Sequence, residues 1–271
     1  MRILRSVLRI TIAVLVVLAI AFAALLVVVR QPTFRALPYR ASVRADENRL
    51  RAHVEFLTRD VAPRDARHPR NLARAAEYIA THFRAAGGTT ALQWFDARGE
   101  RYANVIGQWG PDDPSKPVLV VGAHYDAFSA RAALPGADDN ASGTAGLLEL
   151  ARLLQTQKLD APVLLVAFVN EEPPFFGSEE MGSAVHASTL AASRRRVRGM
   201  ICLEMIGYYG DTQTWPNGLF RLMYPTTGDF IGVGGGWEDR HLARHVKRAI
   251  RGAGGIDVVS FTGPRATTDA S

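Results

Sequence analysis

The stretch PVLVVGAHYD, residues 117–126, sets a short apolar run directly before a histidine and an aspartate. A fully apolar run of this length is typical of a strand that is buried on both faces of a sheet. Two further runs share the pattern, VLLVAFV at 163–169 and MICL at 200–203. Because helix-like segments alternate with these strands, the chain predicts a three-layer α/β/α domain with a central, mostly parallel (mixed) sheet.

Helical periodicity and strand-like runs define the remaining elements of this domain. Apolar residues at helical spacing predict helices over 71–86, 142–154 and 240–251. Extended segments are predicted at 103–109, 219–223 and 258–261, whereas GVGGG at 232–236 predicts a flexible surface loop.

Polar residues follow each of the three apolar runs. His124 and Asp126 come after the first, Glu171 and Glu172 after the second, and Glu204 after the third. In an open α/β sheet, ligands bind beyond the carboxyl ends of the strands. An imidazole with several carboxylates suits zinc, and less strictly manganese or cobalt. The sequence therefore predicts a metal site at this edge.

A further acidic pair, Asp138-Asp139, lies in the loop GADDNASG at 136–143, before a predicted helix. An aspartate there has two oxygens that can bridge two metal ions. A turn with an N-cap to the helix is the alternative interpretation. Another acidic pair, Glu179-Glu180, fits the first turn of a helix better than a metal site.

Taken in order, His124-x-Asp126, Gly136-Ala-x-Asp139-x-x-Ser-Gly143, Asn170-Glu171-Glu172 and Leu203-Glu204-Met205 resemble the motifs of the cocatalytic dizinc exopeptidases. This group includes bacterial zinc aminopeptidases and glutamate carboxypeptidase II, with glutaminyl cyclases and the transferrin receptor as relatives. The resemblance covers residues 46–271. It implies a peptidase that binds two zinc ions.

The resemblance also implies roles for single residues. His124 would bind the first zinc, oriented by Asp126, and Glu204 would complete that site. Asp139 would bridge both ions, followed by a cis peptide bond to Asn140, and Asp138 would have no ligand role.

Glu172 would bind the second zinc, and Glu171 would be the general base for a hydroxide held between the metals. The family also takes a histidine for the second zinc from a late loop. The chain ends at Ser271, about where that loop would begin, so a C-terminal truncation is expected.

The segment from Ile10 to Val29 is twenty residues long and carries no charge. As a helix it would cover about 30 Å, the thickness of the hydrocarbon core of a bilayer. Arg2, Arg5 and Arg9 favour a cytoplasmic N-terminus. We expect a single-pass signal anchor at 1–30, a linker at 31–45, and a peptidase domain at 46–271 outside the cytoplasm, periplasmic or extracellular.

The charge and the cysteine content of the chain exclude several classes of protein. The chain carries a formal charge of +6, of which residues 1–30 supply four arginines and no acid, leaving +2 for the other 241 residues. Nucleic acid is therefore not an expected partner. A single cysteine excludes an intramolecular disulfide framework and a cysteine-rich zinc module.

The expected function is a membrane-anchored zinc exopeptidase, an aminopeptidase that acts on peptides. A glutaminyl cyclase-like acyltransferase is an alternative, although by the same resemblance that branch uses one zinc and lacks the first-site histidine. A non-catalytic receptor or interaction domain on the same fold is the other alternative. Such members lose metal ligands, whereas those expected before Ser271 are present.

Overall fold

The computed structural model describes residues 2–38, 44–128 and 135–263. These residues form two compact units. The larger unit comprises 44–128 and 135–208, and the smaller unit comprises 2–38 and 209–263. The predicted boundaries of anchor, linker and peptidase domain stay predictions.

The larger unit alternates helices and strands along the chain. Its α-helices are α2 (Glu47–Glu55), α3 (Pro69–Ala85), α4 (Gly143–Leu154) and α5 (Gly182–Ala192). Its strands are β1 (Thr89–Ala97), β2 (Glu100–Trp109), β3 (Val118–His124), β4 (Val163–Phe168) and β5 (Val197–Cys202). Two short irregular helical turns, Phe56–Asp60 and Ala137–Ser142, complete it.

The five strands form one mixed sheet in the order β1-β2-β4-β3-β5. β1 pairs antiparallel with β2, and β2 antiparallel with β4. β4, β3 and β5 run parallel, with His124 opposite Phe168 and Gly122 opposite Cys202. The predicted mixed sheet is confirmed, and the carboxyl ends of its three parallel strands meet at one edge.

Both faces of the sheet are covered, which produces the predicted three layers. On one face, side chains such as Val121 and Leu165 join the core formed with α3 and α4. On the other face, alternate residues of the same strands pack with Leu190 of α5. This alternation explains why the strands β3 and β4 read as continuous apolar runs.

The smaller unit contains α1 (Arg2–Arg30), α6 (Gly218–Met223), β6 (Phe230–Gly236), α7 (Arg240–Ala253) and β7 (Asp257–Gly263). β6 and β7 pair in parallel, connected by α7. The helix predicted at 240–251 and the strand predicted at 258–261 are confirmed.

Two predictions in this unit are wrong. Residues 219–223, expected as a strand, lie in α6, because the Asn217 side chain accepts a hydrogen bond from Phe220 N (3.1 Å) and begins a helix. The glycine-rich 232–236, expected as a loop, belongs to β6. Glycines leave no apolar pattern in the sequence, yet their backbone groups pair with β7 from Gly232–Val259 to Gly236–Gly263.

α1 is a helix of 29 residues, and every side chain from Ile10 to Leu25 is exposed. Its length and apolar composition suit a membrane span over Arg5–Arg30. Signal sequences meet the same description. At the C-terminal end of α1, the Thr262 hydroxyl donates to Val28 O (2.6 Å), and Lys247 Nζ donates to Arg30 O (2.9 Å). These contacts satisfy carbonyls that a helix end leaves without partners.

Candidate metal centre

The carboxyl ends of three parallel strands supply the histidine and two of the acidic residues that the sequence singled out. His124 is the last residue of β3, Glu171 follows β4, and Glu204 follows β5. Asp139 comes from the irregular turn that leads into α4. Because the three strands are in parallel register, their polar continuations converge at one place.

The Nε2 atom of His124 is the centre of the cluster. Asp139 Oδ1 lies 3.2 Å from it, Glu204 Oε1 3.4 Å, and Glu171 Oε2 3.7 Å. One ligand atom each from His124, Asp139 and Glu204 lies within 4.8 Å of the others. Glu172 is not part of this three-residue group.

Asp126 lies on the opposite side of the same imidazole ring. Its Oδ1 is 3.4 Å from His124 Nδ1, and its Oδ2 accepts a hydrogen bond from Glu172 N (3.0 Å). Both His124 and Asp126 are buried. A carboxylate in this position orients the ring and fixes which nitrogen faces the other carboxylates.

Asn140 is a site residue that the sequence reasoning did not assign. Its Nδ2 donates to Glu204 Oε2 and to Leu203 O, both at 2.9 Å. Its Oδ1 accepts from the backbone N–H of Gly143 and Met205. The amide therefore holds Glu204 relative to the start of α4. Only its position directly after Asp139 could have signalled this. The expected cis peptide between the two residues is present.

Asp138 is not part of the three-residue group. Its Oδ1 accepts from Gly207 N (2.8 Å) and from the Ser142 hydroxyl (3.2 Å). These bonds join the turn at 137–142 to the segment after β5. Asp138 thus stabilises the loops around the site. Of the acidic pair, Asp139 is the residue that lies beside His124.

The two adjacent glutamates differ in their contacts. Glu172 Oε1 accepts from Phe128 N (3.0 Å), whereas Glu171 faces the His124 ring. Burial raises the pKa of Glu171 to about 7, with Asp126, Glu172 and Glu204 adding to the rise while His124 opposes it. Burial, with Asp139 and Asp126, likewise raises the pKa of Glu172 to about 7.

The negative charges of this centre favour the binding of a cation. Burial alone would lower the pKa of His124, yet the neighbouring carboxylates of Asp126, Asp139 and Glu204 raise it well above its usual value. One N–H cannot satisfy three carboxylates, and Asp139 Oδ1 is buried without a hydrogen-bond partner among the described residues. An imidazole nitrogen and hard carboxylate oxygens this close together match the ligand set of zinc.

The other residues that the sequence raised lie outside the cluster. Glu179 and Glu180 precede α5 instead of forming its first turn, and Arg98 Nε donates to Glu180 Oε2 (3.2 Å). His241 and His245 are exposed on α7 in the smaller unit.

Solved structures share this fold at low sequence identity. A leucine aminopeptidase precursor from Bacteroides thetaiotaomicron matches 84% of the chain and 80% of its own length, at 21% identity and a TM-score of 0.63. A glutaminyl cyclase from Fimbriiglobus ruber matches 85% of the chain and 88% of its own, at 22% identity and a TM-score of 0.53. Identity at this level establishes the fold alone.

Sequence relatives extend the comparison. The uncharacterized protein YfbL of Escherichia coli (strain K12) is 43% identical over 247 residues, covering 88% of this chain and 75% of its own. A probable zinc metalloprotease of Pyrenophora tritici-repentis (strain Pt-1C-BFP) is 35% identical over 103 residues, which are 36% of this chain and 20% of that protein. The chain thus spans most of YfbL and about a fifth of the fungal relative.

The model of Peptidase family M28 matches residues 104–254, which include His124, Asp139, Glu171 and Glu204. The match extends over more than half of the chain. The chain therefore belongs to Peptidase family M28, and its class is that of the zinc metallopeptidases.

Proposed function

We propose that this protein is a membrane-anchored zinc exopeptidase, an aminopeptidase that removes N-terminal residues from peptides. The observation that carries the proposal is the group His124, Asp139 and Glu204, whose ligand atoms lie within 4.8 Å of one another beside Glu171. A metal-ligand set next to a free carboxylate is the arrangement that metal-assisted hydrolysis requires.

Four side chains would hold the metal. His124, Asp139 and Glu204 form the group described above, and Glu172 would join Asp139 at a second ion, for a total of two zinc ions. When bound, zinc polarises a carbonyl and makes water a stronger nucleophile at neutral pH.

Glu171 is the proposed general base. Its carboxylate is half-buried and close to His124, and no backbone N–H of the described residues donates to it, whereas Phe128 N donates to Glu172. A base that takes a proton from the attacking water and returns it to the leaving amine works best with a pKa near the working pH. The raised pKa of Glu171, about 7, suits that task.

Asp126 contributes through His124 and Glu172 together. It accepts from Glu172 N and lies against His124 Nδ1, so one buried carboxylate links a first-ion ligand to the proposed second-ion ligand. It holds the ring with Nε2 directed at Asp139 and Glu204.

Anchoring through α1 rests on its exposed apolar surface. Val17 is 64% exposed and Leu18 59% exposed, in the middle of a helix long enough to cross a bilayer. Arginines at the N-terminal flank favour a cytoplasmic start, which would put the peptidase domain outside the cytoplasm.

Hydrolysis and zinc content of a Glu171→Gln variant test the proposal. The isosteric change removes the proton acceptor, so we expect peptide hydrolysis to fall at least about 100-fold. The zinc content should equal that of the unmodified protein. Glu179→Gln is the matched control, an exposed glutamate eight positions further on whose replacement should leave both quantities unchanged.

Substrate choice separates the proposal from its alternatives. Chelation should abolish release of N-terminal amino acids from unblocked peptides, and added zinc should restore it. Cyclisation of N-terminal glutaminyl peptides by a protein holding one zinc would indicate a cyclase. A folded protein that holds no zinc after dialysis against the metal would indicate a binding domain.

A further inference from the structure

We propose that Arg64 is a positioning residue for the metal centre, which it serves by fixing the backbone around Asp126 and the loop that leads to Asp139. The inference rests on the proposed zinc centre. Arg64 lies outside the ligand motifs, in the segment between the turn at 56–60 and α3, and its side chain is 1% exposed.

Arg64 binds the backbone on both sides of Asp126. Its Nε donates to Tyr125 O at 2.9 Å, and its own carbonyl accepts from Ala127 N at 2.8 Å. The peptide groups that precede and follow Asp126 are thereby held by a single residue. Since Asp126 orients His124, the placement of that ring depends on this clamp.

The same guanidinium binds the segment before Asp139. Nη1 donates to Pro135 O and Nη2 to Gly136 O, both at 2.9 Å, and Nη1 also donates to Leu57 O. Gly136 is tightly enclosed, because a Cβ there would lie 2.4 Å from Ala127 Cβ and 2.5 Å from Asp139 O. The loops that carry Asp126 and Asp139 therefore meet at Arg64.

The side chain performs this role as a buried cation without a carboxylate partner. Among the described residues no acid lies within ion-pair distance of it, and its nearest charged influences are Asp126 and Asp139. Burial lowers its pKa to about 10, so the group stays charged at neutral pH. Charged donors form stronger hydrogen bonds to carbonyls than neutral donors do.

No other side chain can donate the same set of hydrogen bonds. The planar fork of a guanidinium reaches three separate backbone segments at once, whereas the three donors of a lysine radiate from a single nitrogen. A methionine of similar length donates nothing, so the carbonyls of Leu57, Tyr125, Pro135 and Gly136 would lose the hydrogen bonds that Arg64 donates to them. We therefore expect the centre to lose its fixed geometry in the absence of Arg64.

Zinc affinity and the visible spectrum of the Co²⁺-substituted protein test the proposal. Residues that support metal ligands typically contribute 10- to 100-fold to metal affinity. Arg64→Met should weaken zinc binding, measured by competition with a chelator, by that factor and should change the Co²⁺ absorption bands. Arg64→Lys, which keeps the charge, should lie between Arg64→Met and the unmodified protein.

Lys247→Met is the matched control. Lys247 is also a buried cation that donates to backbone carbonyls, those of Arg30 and Gln31, but in the smaller unit. Its loss should reduce the thermal stability and leave zinc affinity and the Co²⁺ spectrum unchanged.

Each outcome distinguishes a role of Arg64 in positioning the metal ligands from a role in stability alone. If Arg64→Met does not fold by circular dichroism, Arg64→Lys takes its place. Zinc affinity within twofold of the unmodified protein in the folded variant, with an unaltered Co²⁺ spectrum, overturns the proposal, as does equal weakening in Lys247→Met. If the unmodified protein binds no zinc, the proposed function fails as well.

Discussion

At the scale of single residues, the centre is dominated by negative charge packed around one imidazole. Four carboxylates lie within 3.7 Å of the ring nitrogens of His124, and the ring is 2% exposed. Burial disfavours the ionised forms of Glu171 and Glu172 and raises their pKa values, and repulsion from neighbouring carboxylates adds to the rise. A bound cation removes this repulsion.

The raised pKa values predict that the zinc-free protein loses stability as the pH increases. Between the unfolded pKa of 4.5 and the folded pKa of about 7, the folded state binds more protons than the unfolded state. These two groups therefore lower the free energy of unfolding with increasing pH across this window, and together they outweigh the opposite contribution of His53, whose pKa burial lowers to about 4. Thermal melting in chelator at pH 5, 6, 7 and 8 should show a decreasing Tm.

Zinc should reverse that trend, because it favours the ionised carboxylates and binds more tightly as they lose protons. The variant Glu171→Gln/Glu172→Gln serves as the control, and its zinc-free Tm should vary less over the same range. A zinc-free Tm that increases from pH 5 to pH 8 contradicts the assignment.

At the scale of elements, the site depends on how the end of β4 is held. Asn104 of β2 is fully buried, with its Nδ2 donating to Gly182 O (2.7 Å) at the start of α5. Its Oδ1 accepts from Val169 N (3.2 Å), two residues before Glu171. One amide thus joins a neighbouring strand, a helix start and the segment that carries the proposed base.

Replacing Asn104 by leucine should therefore destabilise the larger unit. The change leaves Val169 N and Gly182 O buried without their side-chain partner, at a cost of about 2–4 kcal/mol in the free energy of unfolding. Urea unfolding measures the loss. Gln108→Leu, on the same strand but bonded to the exposed Asp112, should change stability by less than about 0.5 kcal/mol. Equal effects of the two changes would contradict the role given to Asn104.

At the scale of the whole molecule, two kinds of surface are combined in one chain. The domain residues carry a nearly balanced charge, whereas α1 exposes apolar side chains from Ile10 to Leu25. Exposed apolar surface of this extent is stable in contact with lipid and not in water. The proposed anchoring follows from this contrast.

Lysines in the middle of α1 should therefore weaken membrane association. Each lysine near the centre of a spanning helix costs about 2.5–3.5 kcal/mol, so Val17→Lys/Leu18→Lys should move much of the protein out of the membrane fraction. Phe34→Lys is the control, since Phe34 is exposed beyond the end of the helix and its replacement should leave the distribution unchanged. Recovery of the unmodified chain in the soluble fraction would contradict the anchor.

Much of the fold could be predicted because its signals are local. The apolar runs of β3 and β4 predicted buried strands, and the periodicity at 71–86 predicted α3. Local patterns failed where the deciding contacts are distant in the chain. β6 forms because its glycines pair with β7, and residues 218–223 form a helix capped by Asn217. The residue types in these two stretches favoured a loop at 232–236 and a strand at 219–223.

The sequence by itself determined the residue types and their order: a histidine and carboxylates after three apolar strands, an apolar helix at the start, and the motifs shared with Peptidase family M28. Only the tertiary structure decided which oxygens meet at His124 Nε2, and that Asn140 and Arg64 hold the surrounding loops. The physical reason is that whether a segment forms a strand depends mainly on residues close to it in the sequence. Convergence depends instead on parallel register and on hydrogen bonds between residues more than sixty positions apart.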